Sequence, residues 1–160
     1  MATVTMRSLL ESGIHFGHQT RRWNPKMKPY IYGQRNGIYI INLQHTMRQL
    51  QKAYLAVRDV SSKGGTLIFV GTKRQAQDAV KREAERCGMH YMKNRWLGGT
   101  LTNFETVKKS VKGLLKLEEM DASGKMDEFP KKEAILMRKD AAKLNKNLCG
   151  IKTMERVPSI

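Results

Sequence analysis

Carboxylates are scarce in this chain of 160 residues: fourteen Asp and Glu stand against thirty Lys and Arg, for a formal charge of +16. An excess of that size repels itself in the free protein and calls for a polyanionic partner. The same scarcity removes paired catalytic carboxylates from residues 1–104, which hold only five acids against seventeen bases. Cysteine is rarer still. Cys87 and Cys149 form no metal or redox spacing, so both are expected to be buried thiols in a reducing compartment. No apolar run approaches the roughly 18–20 residues of a membrane-spanning helix. Met1-Ala2-Thr3-Val4 lacks the order of a signal or transit peptide. No Ser-His-Asp or Cys-His arrangement can be assembled, and neither a Walker loop nor a GxGxxG fingerprint is present. Catalysis therefore lacks candidates, and no cofactor, small-molecule substrate or membrane partner is expected.

What the chain does have is basic charge in acid-free blocks. Between Glu11 and Asp59 no acid occurs, while Arg21, Arg22, Lys26, Lys28, Arg35, Arg48, Lys52 and Arg58 do. A second acid-free window, residues 86–104, carries Lys93 and Arg95. Solvated surfaces normally mix signs, so such blocks read as surfaces for phosphate. Six to ten phosphate contacts make affinity fall steeply with salt through counterion release. Residues 105–160 are nearer balance, with thirteen bases and nine acids, and are expected to stay outside the binding surface.

Local patterns predict an α/β fold. Thr5 caps a short helix that Gly13 ends, and residues 14–29 read as irregular. Tyr30-Ile31-Tyr32 and Ile38-Tyr39-Ile40-Ile41 are β-like, joined by a tight turn at Asn36-Gly37. Asn42 caps a helix with Leu43, Met47, Leu50, Tyr54 and Val57 at helical spacing, closed by Gly64-Gly65. Thr66-Leu67-Ile68-Phe69-Val70 reads as a strand buried on both faces. Thr72 and Gln75 offer a capping box for a helix ending at Cys87-Gly88, before a strand at His90-Tyr91-Met92. The alternation predicts one α/β layer with right-handed crossovers. Beyond it, Phe104, Val107, Val111 and Leu114, then Ala134, Met137, Ala141, Leu144 and Leu148, step by three and four. With Pro130 starting the second run, they predict an antiparallel, coiled-coil-like helical hairpin with a solvated exterior.

Three motifs invite chemistry. His15 and His18 lie three apart, but a zinc site needs two more ligands and none is spaced nearby. Hydrogen bonding in a buried turn or contact with phosphate is the better reading. Gly71-Thr72-Lys73-Arg74 follows a strand and opens a helix, where doubly wound folds hold phosphates on free amides. A backbone phosphate of RNA suits Lys73 and Arg74 there. The stretch Asn94-Arg95-Trp96-Leu97-Gly98-Gly99-Thr100-Leu101-Thr102-Asn103 combines a guanidinium, an indole, glycines and small donors. Trp96 either stacks on an unpaired base or anchors the hairpin.

The same segments carry a resemblance. Ser8-Leu9-Leu10-Glu11-Ser12-Gly13-Ile14-His15-Phe16-Gly17-His18, Trp23-Asn24-Pro25-Lys26-Met27, Phe69-Val70-Gly71-Thr72-Lys73 and Asn94-Arg95-Trp96-Leu97-Gly98-Gly99 with Leu101-Thr102-Asn103 closely resemble the bacterial-type small-subunit ribosomal protein S-two family. The similarity is collinear over essentially the whole chain. It implies a parallel-sheet (flavodoxin/Rossmann-like) α/β domain, incomplete here, with an inserted antiparallel coiled-coil hairpin. The implied divisions are residues 1–103 (RNA-binding, first part), 104–148 (hairpin) and 149–160 (return to the domain, cut short). It also implies a structural role in translation: binding small-subunit ribosomal RNA at the head–body junction, beside neighbouring ribosomal proteins, and helping dock ribosomal protein S-one. The setting would be a bacterial cytoplasmic ribosome or an organellar one. By that analogy Arg21, Arg22, Lys26, Lys28, Arg95 and Trp96 lead the RNA contacts, joined by His15, His18, Trp23, Arg35, Lys73, Arg74, Lys93 and Asn103. Members of the family continue past Val157-Pro158-Ser159-Ile160, so the isolated chain is expected to be marginally stable and aggregation-prone, with an unpaired sheet edge. The competing expectation is an RNA-binding factor or RNA-modifying enzyme holding a nucleotide cofactor on the α/β domain.

Overall fold

The computed structural model describes residues 4–160; residues 1–3, read above for a leader pattern, lie outside it. The chain divides into two compact units, Met1–Asp59 and Val60–Ile160.

In the first unit Thr5 caps helix α1 (Met6–Glu11). Its hydroxyl accepts the Ser8 N–H at 3.1 Å while the Ser8 hydroxyl accepts the Thr5 N–H at 3.0 Å. Gly13, with φ of 69°, then turns the chain away. Residues 14–29 are not irregular throughout as expected. They hold strand β1 (Phe16–Gln19) and 3-10 turns at Thr20–Arg22 and Pro25–Tyr30. Phe-Gly-His-Gln lacks the alternation that marks a strand in sequence; backbone proximity makes it one. A Cβ on Gly17 would lie 2.9 Å from the Tyr39 carbonyl oxygen, so only glycine permits this approach. Strands β2 (Ile31–Arg35) and β3 (Ile38–Ile41) form the expected hairpin. At its turn Asn36 and Gly37 have φ of 51° and 71°, both left-handed, which is why this pair occupies it. β3 lies centrally, antiparallel to β1 and β2. The Asn42 side-chain oxygen accepts the Gln44 N–H at 3.1 Å and starts helix α2 (Leu43–Ser62). Leu43 is the buried residue of α2, and Leu50, Tyr54 and Val57, which follow it at helical spacing, are exposed. Spacing sets which face of a helix is apolar, not whether anything covers it.

The second unit holds a β-α-β unit. Strands β4 (Ile68–Val70) and β5 (His90–Met92) pair in parallel, Ile68 opposite His90 and Val70 opposite Met92, across helix α3 (Arg74–Arg86). The expected capping box is absent. Helix α3 starts at Arg74 with Lys73 as its cap residue, one position too late for the Thr72 hydroxyl to reach the first turn. The run before it is shorter and wetter than expected, since Leu67 is buried but Val70 is 49% exposed. Beside β4, Ile160 bridges the backbone, its carbonyl accepting the Ile68 N–H at 2.8 Å and its N–H donating to Thr66 at 3.3 Å. Cys87, expected to be buried, is exposed because it caps the end of α3 at the surface; Cys149 is half-buried. The single α/β layer expected from the element order is therefore two sheets, one antiparallel and one parallel.

Helices α4 (Phe104–Ala122) and α5 (Lys131–Leu148) are joined through a 3-10 turn at Lys125–Glu128, where Met126 is fully buried. α5 doubles back along α4: Arg138 pairs with Asp121 and Asp127 near the connection, while Leu148 meets Val107 and Val111 at the far end. The unit's core joins Met92, Val107, Val111, Leu114, Leu148, Ile151 and Met154, with Ile68, Leu97, Phe104 and Leu144 packed against it. Each fully buried aliphatic side chain there contributes about 1.5–3 kcal/mol. That core holds β4, β5 and the helix pair together and fixes the loops that leave the strand ends.

Candidate nucleic-acid interface

In the first unit one end of the antiparallel sheet gathers cations. Register places Gln19 opposite Ile38 and Ile38 opposite Arg35. The Thr20 N–H donates to the Gly37 carbonyl at 2.9 Å, tying the 3-10 turn that carries Arg21 and Arg22 to the hairpin turn. Arg21, Arg22, Arg35 and His18 thus share an end of the sheet, all exposed. Arg21 is steadied by its own strand, donating from Nε to Gln19 at 3.2 Å. Lys26 and Lys28 sit on the next turn, begun by Asn24, whose side chain accepts the Lys26 N–H at 2.9 Å. Trp23, 37% exposed, packs tilted on Tyr39 with centroids 5.1 Å apart and stiffens that turn. His15 is half-buried against Phe16, and its buried Nδ1 has no hydrogen-bond partner among the described residues.

In the second unit the cations collect at the carboxyl ends of β4 and β5. The Gly71 N–H donates to the Met92 carbonyl at 3.0 Å, so the loops bearing Lys73 and Arg74 and bearing Lys93, Arg95 and Trp96 leave the sheet side by side. Asn94 donates to the Lys146 carbonyl and ties its loop to α5. Thr100 is fully buried and donates to the Leu97 carbonyl at 2.6 Å, pinning the turn that ends at Asn103. Asn103 accepts from the Thr106 hydroxyl at 2.9 Å. Trp96 is 37% exposed, so it does not act as a fully buried anchor. Gly71 has a packing reason, not a ligand reason: an added Cβ would run into the Val80 side chain of α3. Its amide is spent on Met92, which removes it from any phosphate cradle.

These cations, like the outer lysines of α4 and α5, have no carboxylate partner among the described residues. Among the described residues every ion pair lies elsewhere: Arg7 with Glu11, Arg58 with Asp59, Lys81 with Glu85, Arg82 and Arg86 with Glu83, Arg138 with Asp121 and Asp127, Lys152 with Glu118. Hydrogen bonds from Arg86, then Arg82, hold the Glu83 carboxyl below its ordinary range, and Asp127 with Asp121 raises the Arg138 guanidinium. Arg21, Arg22, Lys26, Lys28, Arg35, Lys73, Arg74, Lys93 and Arg95 enter none of these pairs. No group of three or more His, Cys, Asp or Glu side chains suited to a metal occurs among the described residues, and His15 and His18 gain no further ligand.

Two residues passed over in the sequence stand out here. Phe16 and Tyr32 are 60% and 80% exposed and border a cleft of about 590 Å³ with His15, Gly33, Arg35 and Ile38. Reading β1 as irregular hid the pairing that brings Phe16 to this face.

These features define a class: a mixed α/β protein with cations free of carboxylate partners at the ends of two small sheets. The sequence profile of ribosomal protein S2 matches residues 9–160. The small ribosomal subunit protein uS2 of Geotalea uraniireducens (strain Rf4) is 58% identical over 160 residues, all of this chain and 62% of that protein. The chain therefore belongs to the ribosomal protein S2 family, and it spans somewhat under two thirds of the length of that curated relative.

Proposed function

We propose that the chain is a structural, non-catalytic component of the small ribosomal subunit that binds small-subunit ribosomal RNA through its two cationic clusters. The observation that carries this is the set of nine exposed or half-exposed cations with no carboxylate partner, collected at two sheet ends. Phosphate supplies the missing counter-charge. Trp23 and Trp96 offer partly exposed indoles beside it for an unpaired base. His15, His18 and Asn103 add polar contacts at the margins.

The family relation extends the reading: contact at the head–body junction, neighbouring ribosomal proteins, help in docking ribosomal protein S-one, and a bacterial cytoplasmic ribosome as the setting. It also reads the parallel β4–β5 pair as part of a flavodoxin-like domain to which residues 1–103 and 149–160 belong, the antiparallel β1–β3–β2 sheet being an addition to it, with residues 104–148 as an inserted antiparallel coiled-coil hairpin. No helix among the described residues is long and apolar enough to cross a membrane. A nucleotide cofactor at residues 71–74 finds no support, since the Gly71 amide is already bonded and the loop lacks a glycine fingerprint.

The test is the salt dependence of binding to a transcript of small-subunit ribosomal RNA. The log affinity should fall linearly with log salt, and replacing Arg21 and Arg22 together by alanine should weaken binding and reduce the slope by about 2. Binding indifferent to salt would sink the RNA reading, and an unchanged slope in the double variant would remove that pair from the interface.

A further inference from the structure

The hairpin's near-neutral charge is an average that its surface does not share. On α4, Val107, Val111 and Leu114 are buried, and Lys109, Lys112 and Lys116 occupy the opposite side at spacings of three and four. All three are exposed, and none takes part in an ion pair among the described residues. Glu105 and Glu119 stand one turn outside the stripe at either end, while Lys108 leaves it to donate to the Glu155 carbonyl at 3.3 Å. The remaining carboxylates near α4's far end are engaged: Glu118 by Lys152 at 2.6 Å and Asp121 by Arg138 at 3.0 Å.

A second observation falls on the same side. Gly113 lies inside α4 between Lys112 and Lys116, exposed, and a Cβ added there would meet nothing within 4 Å. Glycine in a helix interior weakens the helix, and no neighbour here requires it. What it provides is a bare strip of backbone flanked by three ammonium groups, where a polyanion's backbone can come close.

We infer that the outer stripe of α4, Lys109, Lys112 and Lys116 around Gly113, is an additional surface for the RNA phosphate backbone. The inference rests on the RNA reading proposed above but places the hairpin inside the interface, contrary to what its overall charge balance led us to expect. The stripe of Lys139, Lys143 and Lys146 on α5 is equally exposed and equally spaced but has no glycine gap, so it serves as the charge-matched control.

The experiment compares four 160-residue chains on the same small-subunit RNA transcript across a salt series: the parent, K109Q/K112Q/K116Q, K139Q/K143Q/K146Q and Gly113→Leu. The parent's salt slope tests the RNA reading itself; if it is absent, both proposals fall. With a parent slope in place, the α4 triple variant should lose about tenfold or more in affinity and flatten the slope by about 2–3, and the α5 triple should change it distinctly less. Gly113→Leu should raise the unfolding temperature by about 2–4 °C yet bind several-fold more weakly with little change of slope. An α4 triple variant with the parent's slope would overturn the proposal. Equal flattening by both triples would do the same, because it assigns the effect to net charge alone. Parent-like binding by Gly113→Leu would overturn the close approach.

Discussion

At His90 protonation and folding are coupled in the range near neutral pH. The residue begins β5 half-buried, and burial holds its imidazole below the ordinary value of 6.5. The unfolded chain, with an unperturbed imidazole, binds the proton first as pH falls. Stability attached to neutral His90 is therefore complete above about pH 6.5 and is lost as pH drops through the lowered folded-state value. Urea midpoints measured between pH 7.5 and 5 should decline, and His90→Gln should decline less. Parallel declines in the two proteins would show that other groups carry the effect. Glu83 does not confuse the measurement. Its carboxyl is held below 4.5 by Arg86 and Arg82, so its contribution is lost only at more acidic pH.

Strand β1 shows what separates an element from its sequence. Two glycines in the three-stranded sheet look equivalent in the chain and differ completely in the fold. A Cβ at Gly17 meets the Tyr39 carbonyl oxygen at 2.9 Å, and a Cβ at Gly33 meets nothing within 4 Å. Gly17→Ala must push β1 off β3 and should cost about 1–3 kcal/mol in chemical denaturation; Gly33→Ala should stay within about 0.5 kcal/mol of the parent. Equal losses would mean that β1 is not held by that close approach. The contrast also explains what could be read in advance. The β2–β3 turn was legible because Asn36 and Gly37 carry its conformational requirement themselves. The helices were legible because Val107, Val111 and Leu114 repeat at helical spacing. β1 was not, since its cause is the neighbouring strand. The cap of α3 was misplaced by one residue, because a Thr-x-x-Gln pattern does not say which residue turns the chain into the helix. Of the candidate interface, the cations were visible as acid-free blocks, but their grouping at two sheet ends depends on pairings such as Gly71 with Met92 that no local pattern displays.

At the scale of the molecule the charge of +16 acts in two opposite directions. Within the free chain it is a cost, because most of the cations in residues 12–58 and 86–104 have no carboxylate to offset them and repel one another. Against RNA it is the attraction, and counterion release makes it strong at low salt. Salt screens both, with a Debye length of about 10 Å at 0.1 M shrinking to about 3 Å at 1 M. Raising sodium chloride from 0.05 to 0.5 M should therefore increase the unfolding temperature of the free chain while lowering its affinity for small-subunit RNA. In a charge-balanced protein, by contrast, screening weakens surface ion pairs and gives little or no stabilisation. Thermal melts and binding isotherms on one preparation over one salt series decide the matter. A free chain that melts lower as salt rises would show that its ion pairs, such as Arg138 with Asp121 and Asp127, outweigh the repulsion among its unpaired cations. The excess charge would then be no burden that RNA relieves.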